Sequence, residues 1–338
     1  MQCSIKILGL ENSIAQLKVI ASIPFFIFFL FLYSCGSVRI VQEEVDVTFF
    51  IASDLHYGQN ENTAQVNRLM AAEMASLPGT LYPDSSEKVA PPEWISLTGD
   101  ITEDGKPEEW GDFTSAFGLN GDGSFPFPVY EGFGNHDGPT TSYPKSPVRR
   151  GIKERNRKRK NIRNISKNGL HYSWSRKGIY FANLNSYPGN EWDPECGWCH
   201  YFQNGFREPA FSLDFLKKDL EQSVGESFNP VVLSFHYGLG GEETFSYLWW
   251  TPEEKDAFYE AIKDYNVIAI FVGHEHAVKH YKWRGIPVWG VGSTQKITAN
   301  SEIDTPGQFL VVRISEDQIY VAEREIGKWG KVMKIFIE

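Results

Sequence analysis

Short runs of β-branched and aromatic residues recur along the chain, and each run ends on small or polar residues. The first is Val-Asp-Val-Thr-Phe-Phe-Ile-Ala-Ser at positions 45–53. Runs of this composition predict buried β-strands. Others of the same form lie at 94–98, 127–133, 230–236 and 267–272. Because polar loops follow these strands, the pattern predicts a sheet-based protein whose chemistry lies at the strand ends.

Segments with helical spacing separate the strands. Residues 61–76 carry apolar side chains at intervals typical of one helix face, namely Ala64, Val66, Leu69, Met70 and Met74. The segments 106–117 and 212–223 also predict helices, and Thr251 followed by Pro252 is typical of a helix start. Strands that alternate with helices predict an α/β protein.

The rest of the body consists of short strands and turns. The segments 170–174 and 179–184 predict a hairpin, and residues 277–338 alternate short strands with turns that we expect to complete a second sheet. We find no internal repeat and no linker, so residues 46–338 are predicted to form a single domain. A chain of 338 residues that is 41% hydrophobic can bury a sizeable core.

Polar side chains with ligand chemistry follow the predicted strands. Asp54 and His56 follow the first strand, Asp100 follows the second, and Asn135 lies in Gly-Asn-His-Asp after the third. One such ending is common, but three in phase indicate a site at one edge of a sheet. The full set of candidate ligands is Asp54, His56, Asp100, Asn135, His236, His274 and His276.

This set is too large for one ion. Oxygen and imidazole donors together suit Mn, Fe, Zn or Ni, whereas a structural zinc site would use four ligands, often thiolates. Seven ligands therefore predict two metal ions that share one carboxylate. Each histidine taken singly is also compatible with a structural role in the core.

The ordered motifs resemble those of the calcineurin-like metallophosphoesterase superfamily. They are Asp-x-His at Asp54, Gly-Asp at Asp100, Gly-Asn-His-Asp at 134–137, a lone histidine at His236, and Gly-His-x-His at 273–276. The resemblance implies a four-layer α-β-β-α sandwich with two mixed sheets. It also implies a metal-dependent hydrolase of phosphoester bonds that uses a metal-bridging hydroxide as nucleophile.

The resemblance also implies a role for each residue. Asp54, His56 and His276 would bind one metal ion, Asp100 would bridge the two ions, and the second ion would be bound by Asn135, His236 and His274. His136 would protonate the leaving oxygen or stabilise the transition state, and Asp137 would orient His136. The histidines at 171, 200 and 280 lie outside the pattern and are expected to be structural.

Variation in the second motif narrows the subfamily. Gly99 to Gly105 read Gly-Asp-Ile-Thr-Glu-Asp-Gly, without the tyrosine of purple acid phosphatases or the arginine of protein serine/threonine phosphatases. The segment is similar to the Gly-Asp-Leu-Thr-Asp-Asp-Gly of the cyclic-nucleotide and glycerophosphodiesterase-like branch, which favours a phosphodiesterase. The alternatives are a phosphomonoesterase and a non-catalytic exported binding protein on the same scaffold.

The amino terminus differs from the rest of the chain. Residues 19–33 are uncharged and rich in Phe, Ile and Leu, and Ser34-Cys35-Gly36 follows. We interpret residues 1–35 as an export signal whose end resembles the lipobox of bacterial lipoproteins. Cys35 would then carry the lipid that attaches the protein to a membrane outside the cytoplasm. An uncleaved signal anchor and simple secretion are the alternatives.

The body of the chain is acidic overall, whereas one short stretch of it is basic. The net charge of −10 becomes −11 once residues 1–34 are removed, which argues against nonspecific nucleic-acid binding. We expect a small-molecule or lipid phosphoester as substrate, and the oligomeric state is open. Nine basic residues against one glutamate lie at 149–163, either as a rim that attracts anions or as a solvated helical face. Cys196 and Cys199 predict a local disulfide.

Overall fold

Two mixed β-sheets lie at the centre of the protein, as seen in a computed structural model. The structure describes residues 45–83, 85–138, 146–190, 211–240, 251–294, 296–297, 303–304 and 307–337. The predicted export signal, the four cysteines and His200 lie outside the described residues. The described residues belong to one compact unit, Glu43–Glu338.

Four of the five helices in the described residues match predicted segments, and one lies in the basic stretch. They are α1 (Glu61–Ser76), α2 (Pro107–Ala116), α3 (Pro147–Lys158), α4 (Ser212–Ser223) and α5 (Pro252–Ile262). The start of α5 shows why: Thr251 Oγ1 accepts from Glu254 N at 3.2 Å, and Glu254 Oε2 accepts from Thr251 N at 2.6 Å. This reciprocal cap satisfies backbone donors that the first helical turn leaves unpaired. None of the helices in the described residues is long and apolar enough to cross a membrane.

The strands fall into two main sheets. In chain order they are β1 (Asp46–Ala52), β2 (Ile95–Leu97), β3 (Val129–Glu131), β4 (Asn164–Ile165), β5 (Tyr172–Arg176), β6 (Ile179–Asn183), β7 (Val231–Phe235), β8 (Val267–Val272), β9 (Lys279–Trp283), β10 (Ile286–Gly290), β11 (Lys296–Ile297), β12 (Ile303–Asp304), β13 (Phe309–Ser315), β14 (Gln318–Glu325) and β15 (Lys328–Phe336). The first sheet has the order β15-β14-β13-β1-β2-β3, and the second has the order β4-β5-β6-β7-β8-β10-β9. Strands β11 and β12 pair separately.

The layers can be followed along β1, because its successive side chains point to opposite faces. Phe49 and Ile51 pack against Phe181 and Phe271 of the second sheet. The side chain between them, Phe50, packs in a different cluster that also contains residues of α1 and α2. Helices α4 and α5 cover the other face of the second sheet. This arrangement confirms the predicted α-β-β-α sandwich with two mixed sheets.

The prediction that residues 277–338 complete the second sheet is wrong in part. Only β9 and β10 join that sheet, whereas β13, β14 and β15 extend the first sheet beyond β1. Strand β13 pairs antiparallel with β1, and the register places Ser315 opposite Asp46. Both faces of β13 are buried, Leu310 between the sheets and Val311 under the helices. A strand buried on both faces fits in the interior of either sheet, so its apolar pattern did not identify the correct one.

Candidate metal centre

All seven predicted ligands lie on loops at one edge of the two sheets. Strands β1, β2 and β3 are parallel neighbours in the first sheet, as are β7 and β8 in the second. Their carboxyl ends therefore meet, and the motif residues follow directly after these ends. Asp54, Asp100 and His236 are buried, with at most 1% of the side chain exposed. The structure thus brings together residues that span more than two hundred positions of the chain.

One group of ligand atoms comes from Asp54, His56 and His276. His276 Nε2 lies 3.3 Å from Asp54 Oδ1 and 3.1 Å from His56 Nε2. His56 Nε2 lies 4.0 Å from the same carboxylate oxygen. Two imidazole nitrogens and one carboxylate oxygen converge on one point, which is the arrangement that a transition-metal ion needs.

A second group comes from Asp100, His236 and His274. His236 Nε2 lies 3.2 Å from Asp100 Oδ2 and 3.0 Å from Asn135 Oδ1. Asp100 Oδ2 is also 3.9 Å from His56 Nε2 in the first group. Asp100 therefore belongs to the second group and also approaches the first, as expected of the bridging carboxylate that the resemblance implies.

The residues present fit metal binding. Asp54 Oδ1 is buried and forms no hydrogen bond. A buried carboxylate oxygen without a hydrogen bond is costly unless a cation pairs with it. The surrounding donors are imidazole nitrogens and oxygens, the set that suits Mn, Fe or Zn. The orphaned oxygen and the donor chemistry therefore both support a bound cation at this point.

The backbone at the ligands adopts an uncommon conformation. Left-handed φ angles of 44° to 73° occur at five of the seven candidate ligands, namely Asp54, His56, Asp100, His274 and His276. A non-glycine residue in this region costs free energy, and such residues cluster at functional sites. The chain retains this conformation at the strand ends because it turns the ligand side chains toward one another.

Two motif glycines make close packing of the loops possible. Gly99 has a φ of +131°, and a Cβ there would lie 2.7 Å from His236 Nδ1. A Cβ on Gly134 would lie 2.7 Å from His236 Nε2. Neither contact is sterically possible, so a side chain at either position would displace a candidate ligand.

Oppositely charged groups that follow strands of the two sheets pair with one another in the site. Burial would raise the pKa of Asp100, but the combined attraction of His236 and the neighbouring histidines outweighs it and lowers that pKa far below its usual range. Burial would lower the pKa of His236, but Asp100 raises it to about 9. For His274, burial and the nearby charge of His236 lower the pKa to about 3. The carboxylate is thus held ionised and His274 neutral, which are the forms that bind a metal, whereas His236 would have to release a proton when an ion binds.

His136 is the most exposed of the motif histidines, with 37% of its side chain accessible. Its Nδ1 donates to the carbonyl oxygen of Glu103 at 2.8 Å. A carbonyl can only accept, so this hydrogen bond assigns a proton to Nδ1 and leaves Nε2 without one in the neutral ring. The main-chain nitrogen of His136 donates to Asp100 Oδ1 at 2.8 Å, which ties this loop to the candidate bridging residue.

The prediction that Asp137 orients His136 does not match the contacts. The Asp137 carboxylate accepts from the backbone nitrogens of Gly134 and Thr102 at 2.8 Å, and from Thr102 Oγ1 at 2.8 Å. Burial, with the charge of Asp100 added, raises the pKa of Asp137 to about 6. Asp137 therefore holds two catalytic loops together through their backbones, while the Glu103 carbonyl holds His136.

Glu103 is a site residue that the sequence analysis did not single out as one. Its Oε2 lies 2.7 Å from His56 Nδ1, opposite the nitrogen that faces the ligand group. A carboxylate in this place fixes the ring orientation and raises the basicity of a metal-binding imidazole. The signal available in the sequence was its position three residues after Asp100, where purple acid phosphatases carry tyrosine.

The basic stretch 149–163 is neither a simple rim nor a solvated face. Arg149 and Arg159 are buried, with 1% and 9% exposed. Arg155 Nε donates to Glu131 Oε1 at 3.0 Å, and Arg159 also pairs with Glu131, which is fully buried. The attraction of the two arginines outweighs burial and lowers the pKa of Glu131. Part of the stretch therefore forms an internal ion cluster behind β3.

The remaining described histidines lie outside the two ligand groups. His171 is fully buried, and its Nδ1 is 2.9 Å from Asn185 Nδ2. His280 lies on β9, stacked near Trp289 at 5.0 Å between ring centroids. Neither occurs in a metal-binding group among the described residues.

The sequence profile of the calcineurin-like phosphoesterases matches residues 47–278, which include every predicted ligand. The chain belongs to this family. The predicted resemblance is thereby confirmed, and membership supports a metal-dependent phosphoesterase. A search of curated proteins returned no match.

Two solved structures share the fold. A dimetal phosphatase from Danio rerio has 14% identity and a TM-score of 0.56, with 87% of this chain and 100% of that chain covered. GAP50 of Plasmodium, described as the anchor in the inner membrane complex, has 11% identity and a TM-score of 0.50, with 87% and 90% covered. At these identities the likeness concerns the fold alone.

Proposed function

We propose that this protein is a binuclear metal-dependent phosphoesterase that prefers phosphodiesters. The observation that supports it most is the convergence of two ligand groups on either side of Asp100, with the buried Asp54 Oδ1 left without a hydrogen bond. One ion would be held by Asp54, His56 and His276, and the other by Asn135, His236 and His274, with Asp100 shared.

Bound cations would lower the pKa of the attacking water and neutralise the phosphate oxygens. The chain's own residues supply positioning and proton transfer. Because the Nδ1 proton of His136 is committed to the Glu103 carbonyl, Nε2 carries a proton only in the imidazolium form. In that form it donates toward the leaving oxygen. The Asp137 carboxylate holds the loop that carries His136 through its hydrogen bond from the Gly134 backbone.

The preference for diesters rests on the Gly99–Gly105 segment, which resembles the diesterase branch. Metal analysis and turnover test the proposal together. Protein reconstituted with Mn should hold close to two equivalents and should cleave bis-p-nitrophenyl phosphate faster than p-nitrophenyl phosphate. The reverse preference would indicate a phosphomonoesterase.

A non-catalytic exported binding protein is the second candidate. It is favoured by the Plasmodium protein of the same fold, which is named as an anchor. Protein without bound metal and without turnover in added Mn would support this candidate and exclude the enzyme. The buried, ionised ligand set argues for the enzyme, since a degenerate site would not need to retain it.

We also propose that the protein is an extracytoplasmic lipoprotein attached to the membrane through Cys35. Support comes from the apolar run at 19–33 and the Ser34-Cys35-Gly36 sequence after it. Cells grown with labelled palmitate should incorporate label into the protein, and Cys35→Ala should abolish it. Label that survives this substitution would contradict the assignment.

A further inference from the structure

The basic stretch leaves a set of exposed cations once its buried arginines are accounted for. These are Arg150, Arg157, Lys158, Lys160 and Arg163. Among the described residues none of the five forms a salt bridge, and Arg163 reaches only Ser175 Oγ, at 3.5 Å. Exposed cations elsewhere on this acidic protein often do pair, such as Lys106 with Asp104 and Lys263 with Glu260. The unpaired charge on this stretch is therefore available to an anionic partner.

Arg163 lies at the end of the sheets opposite the metal centre, and Arg159, between Lys158 and Lys160, donates to Val129 O at the start of β3 at 2.9 Å. Strand β1 begins there at Asp46, whose carbonyl accepts from Lys177 Nζ, in the β5–β6 hairpin, at 2.7 Å. Arg163 contacts strand β5 of this hairpin, because its backbone nitrogen donates to Ser173 O at 2.8 Å. We call this end of the two sheets the entry end, since the chain enters the described domain at it.

An exposed aromatic residue lies at the same end. Phe228 precedes β7, and 74% of it is exposed. Phe228 follows the end of α4. That end lies beside the residue after the basic stretch, because Asn164 Nδ2 donates to Ser223 Oγ at 3.1 Å. Glu221 and Glu226 are the exposed acids that precede it, and the five exposed cations of the basic stretch outnumber them. An exposed ring beside cations is typical of surfaces that meet the headgroup region of a bilayer.

The length of the chain before β1 limits where this end can lie. Nine residues, 36–44, separate Cys35 from Val45. Fully extended, they reach about 30 Å. If Cys35 carries a lipid, as proposed above, the chain keeps the entry end within that distance of the membrane.

We propose that Arg157, Lys158, Lys160, Arg163 and Phe228 form a surface that contacts the anionic lipid headgroups of the membrane. The cations would approach the headgroups, and Phe228 would enter the interfacial region. The metal centre lies at the other end of β1, whose seven residues span about 20 Å. It would then face away from the bilayer, toward water-soluble phosphoesters.

The test uses residues 43–338, because every described helix, strand and hydrophobic cluster lies within them. Sedimentation is measured with vesicles of phosphatidylcholine alone and with vesicles that also contain phosphatidylglycerol. We expect binding to the anionic vesicles only, and weaker binding as salt is raised. Absence of binding to anionic vesicles, or equal binding to both kinds, would overturn the proposal.

Charge reversal locates the surface. The variant Arg157→Glu, Lys158→Glu, Lys160→Glu should bind anionic vesicles about 100-fold more weakly, since each cation near such a surface contributes roughly fivefold. Phe228→Ala should weaken binding severalfold. The matched control is Lys282→Glu, Lys331→Glu, Lys334→Glu, which changes the net charge equally on β9 and β15, the sheet edges far from α3. Equal losses in both triple variants would show a net-charge effect and refute the assignment.

Two further measurements separate this proposal from others. Circular dichroism and thermal unfolding confirm that the variants are folded, without reference to enzyme activity. A DNA duplex serves as the competing polyanion. Tighter binding to DNA than to anionic vesicles at the same salt concentration would reject the membrane as the partner. Failure of the vesicle assay leaves the metal content and turnover experiments unaffected.

Discussion

Two buried clusters of ionisable residues differ in how their charges are satisfied. In the cluster behind β3, Glu131 pairs with Arg155 and Arg159, and each of its oxygens accepts hydrogen bonds. In the metal centre, Asp54 Oδ1 has no hydrogen bond although it is equally buried. The Glu131 carboxylate is therefore fully paired within the protein, whereas Asp54 Oδ1 leaves a position for a cation from outside. A buried carboxylate oxygen that has no partner within the protein therefore indicates a functional site.

The largest effect is expected from Asp100, which lies between both ligand groups. Asp100→Ala should remove bound metal and lower turnover of bis-p-nitrophenyl phosphate by more than about 10⁴-fold, beyond the usual contribution of a single proton-transfer group. Metal analysis and steady-state kinetics check this. Asp112→Ala, an exposed carboxylate on α2, is the control and should leave both unchanged. Full metal content in Asp100→Ala would contradict the bridging role.

His136 should separate chemistry from metal binding. His136→Ala is expected to retain metal, because among the described residues its side chain hydrogen-bonds to the Glu103 carbonyl rather than to a candidate ligand, and to lower kcat by about 10²–10⁴-fold. Metal content and kcat are measured on the same preparation. His280→Ala on β9 provides the control. A loss of metal equal to that in Asp100→Ala would contradict the separate roles of Asp100 in metal binding and of His136 in proton transfer.

Breaking the self-contained cluster should cost stability rather than metal affinity. Glu131→Gln leaves two buried arginines without a full countercharge and should lower the free energy of unfolding by about 3–5 kcal/mol. Arg176→Gln, in an exposed pair with Glu93, should lower it by less than about 1 kcal/mol. Denaturant unfolding measures both. If Glu131→Gln lowered the free energy of unfolding no more than Arg176→Gln does, the buried cluster would not stabilise the fold more than the exposed pair.

The same variant has a defined pH dependence. The pKa of Glu131 is lower in the folded protein than its ordinary value of 4.5, so the ion cluster stabilises the fold above that pH. This stability is lost as the pH falls below 4.5 through the folded pKa. The difference in Tm between the parent protein and Glu131→Gln should therefore be full near neutral pH and shrink in acid. A difference independent of pH would rule out the ionic origin.

The smallest effect is expected at Glu103, which acts on the metal centre through His56. Glu103→Ala keeps the backbone carbonyl that holds His136 but removes the carboxylate, so metal affinity should fall by about 10–100-fold. Titration calorimetry measures this. Glu103→Gln should restore part of the affinity, since an amide oxygen still accepts from Nδ1. Asp104→Asn, at an exposed neighbouring position, should have no effect.

The sequence by itself determined the strands, the helices and the list of candidate ligands. Apolar periodicity predicted helix 61–76 at the bounds of α1, and the polar endings of the strands predicted Asp54, Asp100 and Asn135 as neighbours. These features depend on local patterns: hydrophobic spacing follows the period of the element, and ligand residues follow strand ends. The predicted lipid anchor, the disulfide and the role of each ligand stay predictions.

Only the tertiary structure decided which partners the ionisable residues have. Sequence spacing does not show that Asp137 holds backbones, that the Glu103 carboxylate reaches His56, or that Arg159 turns inward to Glu131. It also did not show that β13 pairs with β1. Each of these is a contact between residues distant along the chain, and such contacts are selected by burial and hydrogen bonding across the whole fold rather than by local pattern.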